Sequence, residues 1–167
     1  MSVRWQRCGV SEVSLEDAYE RYAEDLVRYA ALLVPRSVAA DVVAETFADL
    51  LRNTDGAWSR VRQPKAFLFG AVANRARMHH RQTARRRQRE RQLVGATYQS
   101  ADVAVDDSST ELAEVLDELS VQQRAVIYLT YWQDLSVAQV AETLGVGDGT
   151  VRRQLARARN HLRGALS

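Results

Sequence analysis

The sequence predicts an all-α protein of two small helical domains joined by a flexible linker, the C-terminal one a helix-turn-helix. Three observations carry this. Apolar residues recur at three- and four-residue steps through most of the chain, the period of one helix face. No segment sustains the alternation of a half-buried strand. Between residues 94 and 109, "VGATYQSADVAVDDSS", the period stops and the residues become small, polar and acidic, as in a linker. The domains so bounded are residues 1–93 and 110–167.

Each element has a local reason. Leu15, Ala18, Tyr19, Tyr22, Leu26, Tyr29, Ala30 and Leu33 form one stripe of a first helix, stopped near Pro35. A second helix runs from about residue 38 to 52. "NTDGAWSRVRQ" then mixes turn formers with an isolated Trp58, and Pro64 suits the first turn of a long third helix ending near Leu93. Beyond the linker, Leu112, Val115, Leu116 and Leu119 open another helix. Ser120 with Gln123, and Ser136 with Gln139, are capping boxes that start two more. Ala141, Gly145 and Val151 then supply a small residue at a helix crossing, a glycine in the turn and a branched anchor on the last helix. That is the spacing of a helix-turn-helix.

The chain of 167 residues is 46% hydrophobic with a net charge of +2, which alone points to no partner. The charges are nevertheless segregated. Residues 11–57 hold ten acids and four bases, residues 60–91 eleven bases and one acid, and residues 92–123 seven acids and no base. A lone cysteine, Cys8, excludes an internal disulfide, and no apolar run approaches membrane-spanning length, so a cytoplasmic protein is expected. No catalytic role, metal or cofactor is expected. His79 and His80 point to different sides of a helix without ligand-spaced acids or cysteines, and no serine or cysteine has a recognisable base.

Three constellations point to binding. On the last helix Val151, Leu155, Ala158 and Leu162 share the inward stripe. Thr150, Arg152, Arg153, Gln154 and Arg157 are left as candidates for the major groove, where arginine can bond guanine through two donors. On the third helix Arg77, Arg81, Arg85 and Arg89 recur every four residues, an arrangement that repels itself until a polyanion relieves it. Trp58, Phe67 and Phe69 lie just upstream, and aromatics beside a basic track suit a single strand. At least one of the two phenylalanines is expected in the core, which makes Trp58 the preferred contact. On the second helix Asp41, Glu45 and Asp49 form an acidic stripe suited to a basic protein partner.

Together these residues resemble bacterial sigma factors of the extracytoplasmic-function (ECF) group, the compact kind that keeps only regions 2 and 4. "ADVVAETFADLLRN" is similar to region 2.2, "PKAFLFGAVANRARMHHRQTARRR" to regions 2.3 and 2.4, and the stretch from "LDELSVQQRAVIYLTYW" to "VRRQLARARNHLR" to region 4. The resemblance implies a dissociable specificity subunit of RNA polymerase. Asp41, Glu45, Phe47 and Leu50 would dock on the β′ clamp helices, and region 4 would reach the β flap. Trp58, Asn74, Arg75, Arg77 and Arg81 would hold the minus-10 element and its unstacked strand. The last helix would read the minus-35 duplex. Asp102, Asp106 and Asp107 of the linker would mimic RNA in a basic channel. Many members of that group are held inactive by an anti-sigma protein, a further partner to test for. The chain departs from the usual pattern at Ala44, where a glutamine is common, at "MHHR", where an aspartate often sits, and at "VRRQLARAR". Two other readings fit parts of the sequence. One is a conventional helix-turn-helix regulator that acts on a palindromic duplex without polymerase; the other is a helical protein that sequesters a regulator.

Overall fold

The computed structural model describes residues 13–52, 58–93, 115–116 and 118–165. All regular structure among them is helical: α1 (Leu15–Leu33), α2 (Arg36–Arg52), a short 3-10 turn (Trp58–Arg60), α3 (Pro64–Leu93), α4 (Val121–Tyr131), α5 (Val137–Leu144) and α6 (Asp148–Ala165). The predicted linker and the first turn around Leu112 lie outside the described residues. Val115 and Leu119, which follow them, are buried.

The helix ends follow local chemistry. Both predicted capping boxes form. Ser120 Oγ accepts from Gln123 N at 3.2 Å while Gln123 Oε1 accepts from Ser120 N at 2.8 Å. Ser136 and Gln139 repeat the exchange at 3.3 and 2.9 Å. A third box, Ser14 with Asp17, starts α1. Its signal in the sequence is weaker, because aspartate is a shorter third-position partner than glutamate or glutamine.

The three N-terminal helices form one group. α1 packs on α2 and α3, and α2 on α3, around Leu26, Leu33, Val43, Leu68 and Val72. Thr46 is buried among them and its hydroxyl donates to the Val42 carbonyl at 2.7 Å, which removes the cost of an unpaired polar group. A ring nitrogen of His80 lies 2.6 Å from the Leu33 carbonyl and ties the middle of α3 to the end of α1.

The C-terminal helices form the second group, with α4 and α5 both packed on α6. α5 ends at Gly145, whose φ of 64° is the left-handed conformation that side chains resist. The chain turns there, with Val146 N–H donating back to the Ala141 carbonyl at 3.0 Å. Ala141 and Val151 are buried as predicted for the crossing and the anchor.

The two groups also pack on each other. α4 lies on α1 and α3, and α5 lies on α3, so that one apolar core runs through both. Three rings form the centre of this seam. Tyr29 of α1 meets Phe69 of α3 edge-on at 5.0 Å and Tyr128 of α4 at 4.9 Å, separations at which aromatic pairs attract beyond their burial. Full burial pushes the Tyr29 phenol well above its ordinary range, and its hydroxyl has no hydrogen-bond partner. Such a group costs about 1–3 kcal/mol.

Candidate nucleic-acid interface

α6 presents the simplest surface. Val151, Leu155 and Ala158 are buried and fix the rotation of the helix. Arg152, Arg153 and Arg157 therefore stand exposed, with Thr150 and Gln154 half-buried at the edge of the same face. Arg153 Nη2 reaches Thr150 Oγ1 only at 3.5 Å, too long to commit it. Arg159 is different. It donates through Nε to the Tyr131 hydroxyl at 2.7 Å and lies over that ring, so it belongs to the packing of α4 on α6.

α3 divides in two. From Arg81 to Arg91 it leaves the packed body, and every arginine of that half is exposed. Arg86 pairs with Glu90 at 2.8 Å; among the described residues Arg81, Arg85, Arg87, Arg89 and Arg91 make no ion pair. Up to Met78 the helix is part of the core, and its polar residues are engaged. Arg75 pairs with Glu45 at 2.9 Å and with Asp49. Arg77 donates to Gln122 Oε1 at 3.2 Å, to the Leu144 carbonyl at 3.4 Å and to Asn74 Oδ1. Asn74 itself is exposed.

The aromatics fall out unevenly. Phe69 is core and Phe67 remains 39% exposed. Trp58 is half-buried against Phe67, with its indole N–H donating to the Val13 carbonyl at 2.9 Å. Its donor thus serves the fold, and Phe67 is the freer ring on this face.

On α2, Asp41 and Glu45 are exposed and Leu50 is partly buried. Phe47 corrects the sequence reading. Only 5% exposed and edge-on to Tyr19 at 5.0 Å, it is a packing residue, out of a partner's reach. Leu51, 68% exposed, is the apolar side chain on offer. Trp132, at the end of α4, is a second exposed apolar residue, stacked on Tyr128.

Within the described residues no group of three His, Cys, Asp or Glu side chains could hold a metal ion, and no helix is long and apolar enough to cross a membrane. The surface on view is a basic helix, a second basic helix beside an exposed ring, and an acidic face with one leucine.

Comparison with known proteins gives the family. Residues 18–86 match the family described as Sigma-70 region 2, and residues 109–162 match Sigma-70, region 4. The ECF RNA polymerase sigma factor SigL of Mycobacterium tuberculosis is 34% identical over 146 residues, which is 82% of this chain and 80% of SigL. The chain belongs to the sigma-70 family, in its ECF group. The RNA polymerase sigma-E factor of Streptomyces avermitilis is 33% identical over 159 residues, 91% of this chain and 85% of that one. The fold is shared with the sigma factor RpoE of Bartonella quintana, solved in complex with the anti-sigma factor NepR, at a TM-score of 0.65 and 24% identity over 90% of this chain and 95% of that one. The protein is therefore an alternative sigma factor: it binds core RNA polymerase and directs transcription initiation at promoter DNA. Helices α1 to α3 carry region 2 and α4 to α6 carry region 4.

Proposed function

We propose that α6 reads the minus-35 element and α3 captures the melted minus-10 strand. In this reading Arg152 and Arg153 meet base edges, with Thr150, Gln154 and Arg157 on edges and phosphates. Asn74, Arg77, Arg81 and Phe67 line the strand site, while Arg75 and Trp58 hold it in shape. Asp41, Glu45 and Leu51 dock on the β′ clamp helices, and region 4 meets the β flap. The observation that carries the reading is the pairing, in one chain, of an outward arginine face on a core-anchored helix with a second basic helix that begins beside an exposed ring.

The protein performs no bond chemistry of its own and works where polymerase and the nucleoid are, in the cytoplasm. Captured bases and neutralised phosphates offset unpairing, which costs on the order of 1.4 kcal/mol per base-pair step. Asp102, Asp106 and Asp107 act in the RNA channel; changing all three to serine alters abortive synthesis while promoter binding persists.

The test is run-off transcription on fragmented genomic DNA with core polymerase from a related bacterium, with and without the protein. Discrete starts sharing upstream sequence are expected, and they vanish in the Arg152→Ala, Arg153→Ala double variant. An absence of new starts, with the protein shifting duplex DNA on its own, would instead identify a conventional regulator.

A further inference from the structure

The acidic stripe of α2 is not equally free along its length. Glu45 and Asp49 stand one helical turn apart, and like charges at that spacing repel. Arg75, reaching over from α3, meets both of them. Its Nη1 donates to Glu45 Oε2 at 2.9 Å, and its Nη2 pairs with Asp49. Asp49 also accepts from Arg52 of its own helix at 2.6 Å. Asp41, exposed one turn before Glu45, makes no ion pair among the described residues.

An arginine from another helix therefore stands where a basic partner would place its own cations. The groups differ in access. The Arg75 side chain is 23% exposed, while those of Glu45 and Asp49 remain 62% and 45% exposed, so a partner can approach the carboxylates from the solvent side. Ion pairs this open hold their members weakly and exchange readily for others like them.

We infer that Arg75 is an internal competitor for the polymerase-binding face of α2 and sets how tightly the chain docks. This role rests on the assignment of that face to the clamp helices. Incoming cations either displace Arg75 from Glu45 and Asp49 or meet carboxylates it has already neutralised. The face then works as two ends about a neutralised middle: Asp41 keeps its charge, and Leu51 keeps its exposed apolar surface. Because complementary charge acts chiefly on encounter and partner choice, the competition is felt most at low salt.

The full chain, carrying a dye on Cys8, its one cysteine, is titrated with core polymerase from a related bacterium by fluorescence anisotropy at low and high salt. Arg75→Gln removes the competing charge. It is expected to tighten docking about fivefold at low salt, the scale of an exposed ion pair, and the gain should shrink at high salt as screening grows. A residue that only fastened α3 to α2 would weaken docking when replaced or leave it unchanged, and either result overturns the inference.

The carboxylates supply a second measurement. Asp41→Asn is expected to weaken docking about fivefold, whereas Glu45→Gln changes it by less than about twofold in the wild type, because there each pair gained replaces a pair lost. In the Arg75→Gln chain, Glu45→Gln should cost as much as Asp41→Asn. A full loss from Glu45→Gln in the wild type overturns the inference even where thermal melting shows the Arg75→Gln chain to be unfolded. If Asp41→Asn weakens docking and Arg75→Gln does not tighten it, the face is right and the inference wrong. If every variant of the stripe leaves docking unchanged, the face itself is wrong and the inference falls with it.

Discussion

α6 and the first half of α3 both carry arginines proposed to meet DNA, yet they hold those arginines differently. On α6 the inward face is Val151, Leu155 and Ala158, and Arg152, Arg153 and Arg157 point away from it into solvent. On α3 Arg75 is held by Glu45 and Asp49, and Arg77 by Gln122 and Leu144. A duplex offers its groove from outside, so the helix that reads it can be finished before binding. A melted strand exists only after work has been done, and of the residues proposed for it Arg77 is already engaged while Asn74, Arg81 and Phe67 stand exposed.

The contrast can be broken first at α6. Replacing Arg152 and Arg153 together by alanine removes the proposed base contacts, worth about 1–3 kcal/mol each where bidentate, and promoter-specific run-off should fall a hundredfold or more with no change in thermal stability. Next is the contrast within α2. Phe47→Ala should cost about 3–5 kcal/mol of stability as a core truncation, read by urea denaturation. Leu51→Ala should stay within about 0.5 kcal/mol yet weaken binding to core polymerase about tenfold in a pull-down titration. Equal destabilisation by the two would mean that Leu51 is a packing residue as well.

The exposed half of α3 sharpens the comparison through salt. With Arg85, Arg87, Arg89 and Arg91 changed to glutamine, the slope of log affinity against log salt should flatten by about 0.9 for each phosphate no longer neutralised, uniformly across promoter sequences. An unchanged slope would place this half away from DNA. The smallest effect is expected at the turn. Gly145→Ala should cost about 1 kcal/mol, because a side chain resists φ near 64°, and calorimetry would record a modest fall in Tm.

What could be read from the sequence was what is local. Pro35 and Pro64 set the end of α1 and the start of α3, Ser120 and Ser136 carried their capping partners three residues on, and Gly145 announced the turn. The arginine face of α6 was equally legible, because a stripe of Val151, Leu155 and Ala158 leaves its neighbours no direction but outward. Periodicity was less decisive on α2, where apolar residues outnumber the places on one stripe; it could not choose between Phe47 and Leu51, and packing against Tyr19 made the choice.

The sequence by itself determined the helices, their caps and the order of the two regions, since these depend on residues within a turn or two of each other. Only the tertiary structure decided which arginines are already engaged, which rings are buried, and that Gly70 makes room for the Thr143 carbonyl. These joins link residues far apart in the chain. Whether they form depends on burial and shape at a surface that no local pattern describes, set against the entropy of closing the loop between them.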